Sequence, residues 1–250
     1  KGTAWRLDDE KLMYPFYEKA INAGINTICI HKGLLPRDYE ESWPGVWQHA
    51  TVDDVLKAAT DWPDINFVIY HGALRIFLED PSHDLAKFDE TGRIDWTTDL
   101  ANLVQEHGLR NVYGELGTTF ATSAVANPRF AAAIVGTMLN GMGSDRVVWG
   151  TDSVWYGSPQ WQIEAMRRLE IPEDMMKKQG WKVSLGGDDS AIKRQIFGTN
   201  SADLYNYNIT ADVLENLGHD KLAEMKDVYR QEGVERNNRF YGYVNKNSKA

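Results

Sequence analysis

The sequence predicts an α/β protein built on a parallel sheet, and three observations carry that prediction. Four short apolar runs, at residues 25–30, 66–70, 111–116 and 146–149, are too brief for helices and read as strands buried in a sheet. Stretches with apolar residues at helical spacing separate them. A residue able to hold metal or carry a proton stands at or near the end of each run: His31, His71, Glu115 and Asp152. These are about forty residues apart, the length of one strand–helix unit with its loops. Four such units in series predict a right-handed, parallel arrangement.

Composition sets the outer bounds. With 250 residues, 42% hydrophobic and 25% charged, the chain reads as a soluble globular protein of one large or two small domains. No apolar run approaches the roughly 18 residues that a membrane helix needs. A formal net charge of -9 argues against nucleic acid as a partner. The chain starts at Lys1 rather than at Met, so the lack of a leader signal says little about compartment. Localisation stays open, with a soluble, cytoplasmic setting as the working expectation.

In chain order, residues 8–24 read as a helix. Leu12, Phe16, Ala20 and Ala23 make an apolar stripe, Gly24 supplies the stop, and Pro15 predicts a kink or a late start. The β-branched run 25–30 then ends at His31-Lys32-Gly33. Cys29, the single cysteine, lies among its aliphatics and is expected to be a small buried hydrophobe. A loop rich in Pro, Trp and charge (34–49) leads to Thr51 and Asp54, spaced as a capping box that opens a helix over 52–60. The second strand, 66–70, ends at His71-Gly72. Residues 77–96 read as a long polar loop that covers something. A helix over 97–107 closes at Gly108. The third strand, 111–116, ends near Gly117-Thr118-Thr119, and Pro128 opens a helix to about residue 140. The fourth strand ends at Asp152. Helices are expected over 159–169 and 191–205, the latter with Ile192, Ile196 and Leu204 facing inward. Residues 211–232 read as a highly charged helix or helix pair, and 237–250 as a polar, loose tail.

Parallel strands joined by helices bring their C-terminal ends to one face, so His31, His71 and Asp152 can converge there. Two imidazoles and a carboxylate suit a borderline divalent ion such as zinc. Such an ion lowers the pKa of its water to about 7, and a nearby carboxylate can take the proton. Each residue also has a plainer reading. A His at a strand end is ordinarily a hydrogen-bonded loop residue, and Asp152 can simply cap the turn after it. The matched pair of His and the Gly-Thr-Asp-Ser setting favour the site. His49, His83, His107 and His219 lack such a setting and read as surface or capping residues. Lys32, Arg75, Glu115, Trp43, Trp47, Trp155 and Tyr156 lie at or just past strand ends, where loops build pockets. An aromatic pocket with one or two cations suits an aromatic or unsaturated carboxylate. Tryptophans that merely pack loops explain each aromatic equally well.

The series strand-His31, strand-His71-Gly72 and Val148-Trp149-Gly150-Thr151-Asp152-Ser153 resembles the amidohydrolase superfamily. It is similar in particular to the branch of aminocarboxymuconate-semialdehyde decarboxylase and related metal-dependent hydrolases. Ile196-Phe197-Gly198-Thr199-Asn200-Ser201-Ala202 is similar to that branch's Gly-x-Asn-Ala helix start. The resemblance spans roughly residues 10–207 and implies a (β/α)8 TIM barrel. It implies that His31, on the fifth strand, ligates a divalent metal, most simply zinc. His71, on the sixth, orients substrate or binds metal, and Asp152, on the eighth, ligates metal and shuttles a proton. Glu115 inherits no role and is taken as structural or as a substrate contact.

The family's first strand carries a His-x-His pair, and this chain has none; it shows four strand–helix units where a barrel needs eight. The expectation is therefore a C-terminal half over 1–210, followed by a helical extension and tail over 211–250. The other half would be cleaved, lost or supplied by a partner chain. A half barrel exposes two strand edges and part of its interior, which favours pairing or a homo-oligomer. The chain alone is then expected to bind metal weakly and to be inactive. Three functions compete: a metal-dependent hydrolase of an amide, ester or lactone with Asp152 as general base; a non-oxidative decarboxylase of an aromatic or unsaturated acid on the same scaffold; and a metal-free binding module that kept the fold.

Overall fold

A computed structural model describes residues 5–75, 80–208, 210, 215 and 221–233. Strands β1 (Thr27–His31), β2 (Asn66–Tyr70), β3 (Val112–Glu115) and β4 (Val147–Val148) form one sheet in the order β1-β2-β3-β4. All three pairings are parallel, with Cys29 opposite Val68, Val68 opposite Tyr113 and Glu115 opposite Val148. The parallel α/β architecture expected from the four apolar runs is present, one strand per run.

Side chains alternate across the sheet. Ile28, Ile30, Phe67, Ile69, Val112 and Val147 point to one face and join the main core. The helices that cover them include α1 (Met13–Asn22), α3 (Val55–Asp61), α5 (Thr97–His107) and α7 (Pro128–Met142), while the short α2 (Tyr39–Ser42) lies in the stretch between β1 and α3. Each fully buried side chain of this size contributes about 1.5–3 kcal/mol. The opposite face is covered only in part. Val68 and Val148 pack with Leu204 beside Tyr113, while Cys29 and His31 remain exposed. The expectation of a buried Cys29 is corrected here: the run is covered on one face, and Cys29 alternates onto the other.

Local chemistry explains most boundaries. α1 starts late, placing Pro15 in its first turn, where a missing N–H is harmless. α7 opens with Pro128 and is capped by Asn127, whose side chain accepts from Phe130 N–H at 3.2 Å. α5 ends on Gly108 in the left-handed conformation. Two readings of local structure change. The capping box at Thr51 and Asp54 does not form, because the Asp54 side chain turns inward instead. The polar stretch 77–96, read as a loop, contains α4 (Pro81–Thr91), capped by Asp80 and stopped by a left-handed Gly92.

After β3 come α6 (Gly117–Ala126) and α7; after β4 come α8 (Ser153–Tyr156), α9 (Gln160–Arg168) and α10 (Glu173–Gln179). A helical segment then runs through α11 (Ala191–Arg194), a π turn (Gln195–Thr199) and α12 (Asn200–Leu204). Asn200 Nδ2 donates to Ser144 O (2.7 Å) and Val147 O (2.8 Å), tying α12 to the edge strand β4. The chain divides into two compact units, residues 1–207 and 208–250. The second contains α13 (Lys221–Glu232), inside the stretch read as a charged helix or helix pair. The tail 237–250 and His219 lie outside the described residues. Among the described residues no helix is long and apolar enough to cross a membrane.

Candidate active site at the strand ends

His71 follows β2 in an unusual backbone. His71 (φ 63°), Gly72 (55°) and Ala73 (53°) are left-handed in succession, a conformation that costs about 1–2 kcal/mol at a residue with a Cβ. The turn is held on both sides. His71 N–H donates to Glu115 Oε2 (3.1 Å), and His71 C=O accepts from Thr119 Oγ1 (2.7 Å) and Leu74 N–H (3.1 Å). The residue is 6% exposed. Its ring centroid stands 4.6 Å from that of His31. Nδ1 lies 3.6 Å from Asp152 Oδ2 and 4.0 Å from Glu115 Oε2, and has no hydrogen-bond partner. Burial, and then the neighbouring His31, push the imidazole pKa down to about 4. At pH 7 the ring is therefore neutral, and these are not ion pairs.

Asp152 is also left-handed (φ 47°). It precedes α8 but makes no side-chain cap there. Its Oδ2 instead accepts from the N–H (3.0 Å) and the hydroxyl of Thr118, in the first turn of α6. Glu115 Oε1 takes the preceding amide, Gly117 N–H, at 2.7 Å. Two carboxylates thus meet the amides that open α6, where the helix dipole favours negative charge. Glu115 is 9% exposed. Burial drives its pKa up to about 7, against the lowering effect of its two amide bonds. It fits only because position 150 is glycine: a Cβ there would overlap Oε1. His31, His71, Glu115 and Asp152, from four strand ends, therefore meet in one place.

The amidohydrolase family model matches residues 1–207. The chain belongs to the amidohydrolase family. No curated protein matches its sequence. Among solved structures, a TIM-barrel protein from Bordetella bronchiseptica is 17% identical, with 81% of this chain covering 52% of that one at a TM-score of 0.48. The 5-carboxyvanillate decarboxylase of Sphingomonas paucimobilis is 13% identical (83% and 57%, TM-score 0.46). A dihydroxybenzoic acid decarboxylase from Polaromonas sp. JS666, with bound manganese, is 17% identical (84% and 58%, TM-score 0.42). This amidohydrolase chain spans between about half and three-fifths of the length of these structures.

Among the described residues no group of three or more His, Cys, Asp and Glu side chains stands in a geometry that encloses a metal. The donor types nevertheless fit a partial site: a buried, unpartnered imidazole nitrogen faces a carboxylate oxygen, with a second imidazole alongside.

Of the residues named as substrate contacts, Glu115 reaches the site, but both of its oxygens are engaged by backbone amides. Lys32 is a correction. It is 2% exposed, and Nζ donates to both oxygens of Asp54 (2.8 Å each) and to His49 O (2.9 Å), which uses all three of its N–H groups. Arg75 also turns away from the site. It pairs with Glu40, donates to Arg37 O and stacks over Trp96, clasping the loops after β1 and β2. Trp155 on α8 is 80% exposed. Residues the sequence reading missed stand closer. A cavity of about 270 Å³ beside Glu115 and Asp152 is lined by Val68, Val148, Tyr70 and Tyr205, among others. Tyr205 OH lies 3.7 Å from Cys29 Sγ, and burial and then that thiol push the phenol's pKa up to about 12. Tyr70 closes a recognised strand and was open to detection. Tyr205 reaches the site only through the tertiary path of α12.

Proposed function

We propose that this chain is the C-terminal half of a metal-dependent amidohydrolase acting on a neutral amide, ester or lactone. One observation carries the reading: the buried, unpartnered Nδ1 of His71 faces Asp152 at 3.6 Å with His31 alongside. His31, His71 and Asp152 would contribute to holding the ion, and further donors would come from the half absent from this chain. When bound, a divalent ion supplies Lewis acidity toward a carbonyl and toward water. Asp152 is the proton carrier: Thr118 engages Oδ2, while Oδ1 is left to accept a proton from water and return it to the leaving group. His71, neutral at pH 7, offers a lone pair rather than a positive charge. Lys32 and Arg75, the cations that the sequence offers for a substrate carboxylate, pair instead with Asp54 and Glu40, which favours a substrate without one.

Zinc titration followed by calorimetry tests the reading. The chain should bind about one zinc weakly, with a Kd of about 1 µM or higher, near -8 kcal/mol. His71→Ala and Asp152→Asn should each abolish the signal. A nanomolar site in this chain would refute the half-site, and no binding at millimolar zinc would refute the metal.

A further inference from the structure

We propose that Glu115 is the positioning residue of this site: its carboxylate, lodged where Gly150 leaves room, locks His71 into the left-handed turn that aims the imidazole at Asp152 and His31. The proposal rests on the metal-site reading for its purpose but not for its geometry. Three strand ends meet at this one side chain. Oε2 accepts the N–H of His71 after β2, Oε1 accepts the N–H of Gly117 after β3, and the carboxylate occupies the space over Gly150 after β4. Thr119, two residues into α6, holds the carbonyl side of His71 through Oγ1. His71 is therefore gripped at both its N–H and its C=O by the turn that follows β3.

A left-handed histidine with a left-handed alanine two residues on does not hold itself, since each carries a steric penalty. The hydrogen bonds from His71 N–H to Glu115 and from Thr119 Oγ1 to His71 C=O offset it. Both oxygens already accept from backbone amides and the residue is 9% exposed, which suits a structural hold better than a substrate contact. Glu115 acts on the site through His71, as groups behind metal-binding histidines generally do.

Selective 15N-histidine labelling of the full chain tests this, because only six histidine amides appear. In the unsubstituted chain the His71 amide proton should lie well downfield, as expected for a carboxylate acceptor. In Glu115→Ala, and in Gly150→Ala, which displaces the carboxylate without deleting it, that proton should move upfield. The ring protons of His31 and His71 should shift with it. Glu115→Gln, which keeps one acceptor oxygen, should fall between. Met175→Ala, a cavity in the separate helix α10, should lower the unfolding midpoint and leave these resonances in place. Unchanged His71 amide and ring signals in folded Gly150→Ala or Glu115→Ala would overturn the proposal. Co(II) supplies the second readout: its affinity should fall about tenfold or more in Glu115→Ala, the usual effect of losing an outer-shell partner. If the unsubstituted chain takes up no Co(II), the metal reading falls, and the histidine signals alone decide the role of Glu115.

Discussion

Lys32 shows how much a single register step decides. It follows His31, and alternation sends it to the helix side of the sheet while His31 faces the open side. There it meets Asp54, which also accepts Leu7 N–H at 2.9 Å. Burial lowers the ammonium pKa, and the carboxylate works against that shift. Lys32→Ala should cost about 3–5 kcal/mol in urea unfolding, because it strands a buried carboxylate; a substrate contact would leave the midpoint alone. Tyr17, also fully buried, donates to Leu7 O at 3.0 Å, and burial holds its phenol above the ordinary tyrosine range. The folded state then keeps a proton that the unfolded chain loses above about pH 10. Stability from this group is fully present below that pH and is lost as pH rises beyond it. Tyr17→Phe should cost about 1–3 kcal/mol at pH 7 by stranding Leu7 O, and should flatten the alkaline fall between pH 9 and about 11, as read from paired urea curves. The strand-end residues His31, His71 and Asp152 were legible because position along a strand fixes where its end lies. Lys32 and Arg75 were misread because proximity to a strand end does not say which way a side chain turns.

Among the elements, α5 and α7 stand close to where their caps and periodicity put them, since Gly108 and Asn127-Pro128 act locally. α4 and α6 escaped notice for different reasons. α4 carries its signals in plain view, Asp80-Pro81 at the start and Gly92 at the end, but buries only Phe88, so its apolar stripe is thin. Asp80 Oδ1 accepts from Ser82 N–H (3.1 Å) and His83 N–H (3.3 Å). Asp80→Ala should therefore cost about 1 kcal/mol and speed hydrogen exchange in residues 82–85, with β2 unaffected. The N-cap residue of α6, Leu116, has no side chain able to cap it. Gly117 N–H is taken by Glu115 two residues back, but Thr118 N–H is taken by Asp152, 34 residues on, and only folding reveals that.

At the scale of the molecule, the order and direction of the strands followed from counting strand–helix units, whereas the state of the sheet's inner face did not. A buried strand and one covered on a single face look alike when the run is short and β-branched, which is why Cys29 was misplaced. The two borders of the sheet also differ. β1 ends the sheet at one side. At the other, Val148 O turns to β3, where Leu116 N–H donates to it at 3.2 Å, so the alternate carbonyl, Val147 O, faces outward and is taken by Asn200. Copies of the chain that meet through β1 alone do so by a two-fold, which closes after two; joining β1 to β4 head-to-tail closes into a ring where the rotation allows it and otherwise runs on as a filament. Asn200, by taking Val147 O, removes an acceptor that either head-to-tail contact would use. Sedimentation should find concentration-driven species in Asn200→Ala beyond those of the native chain, so that one amide decides which edge is open to another copy.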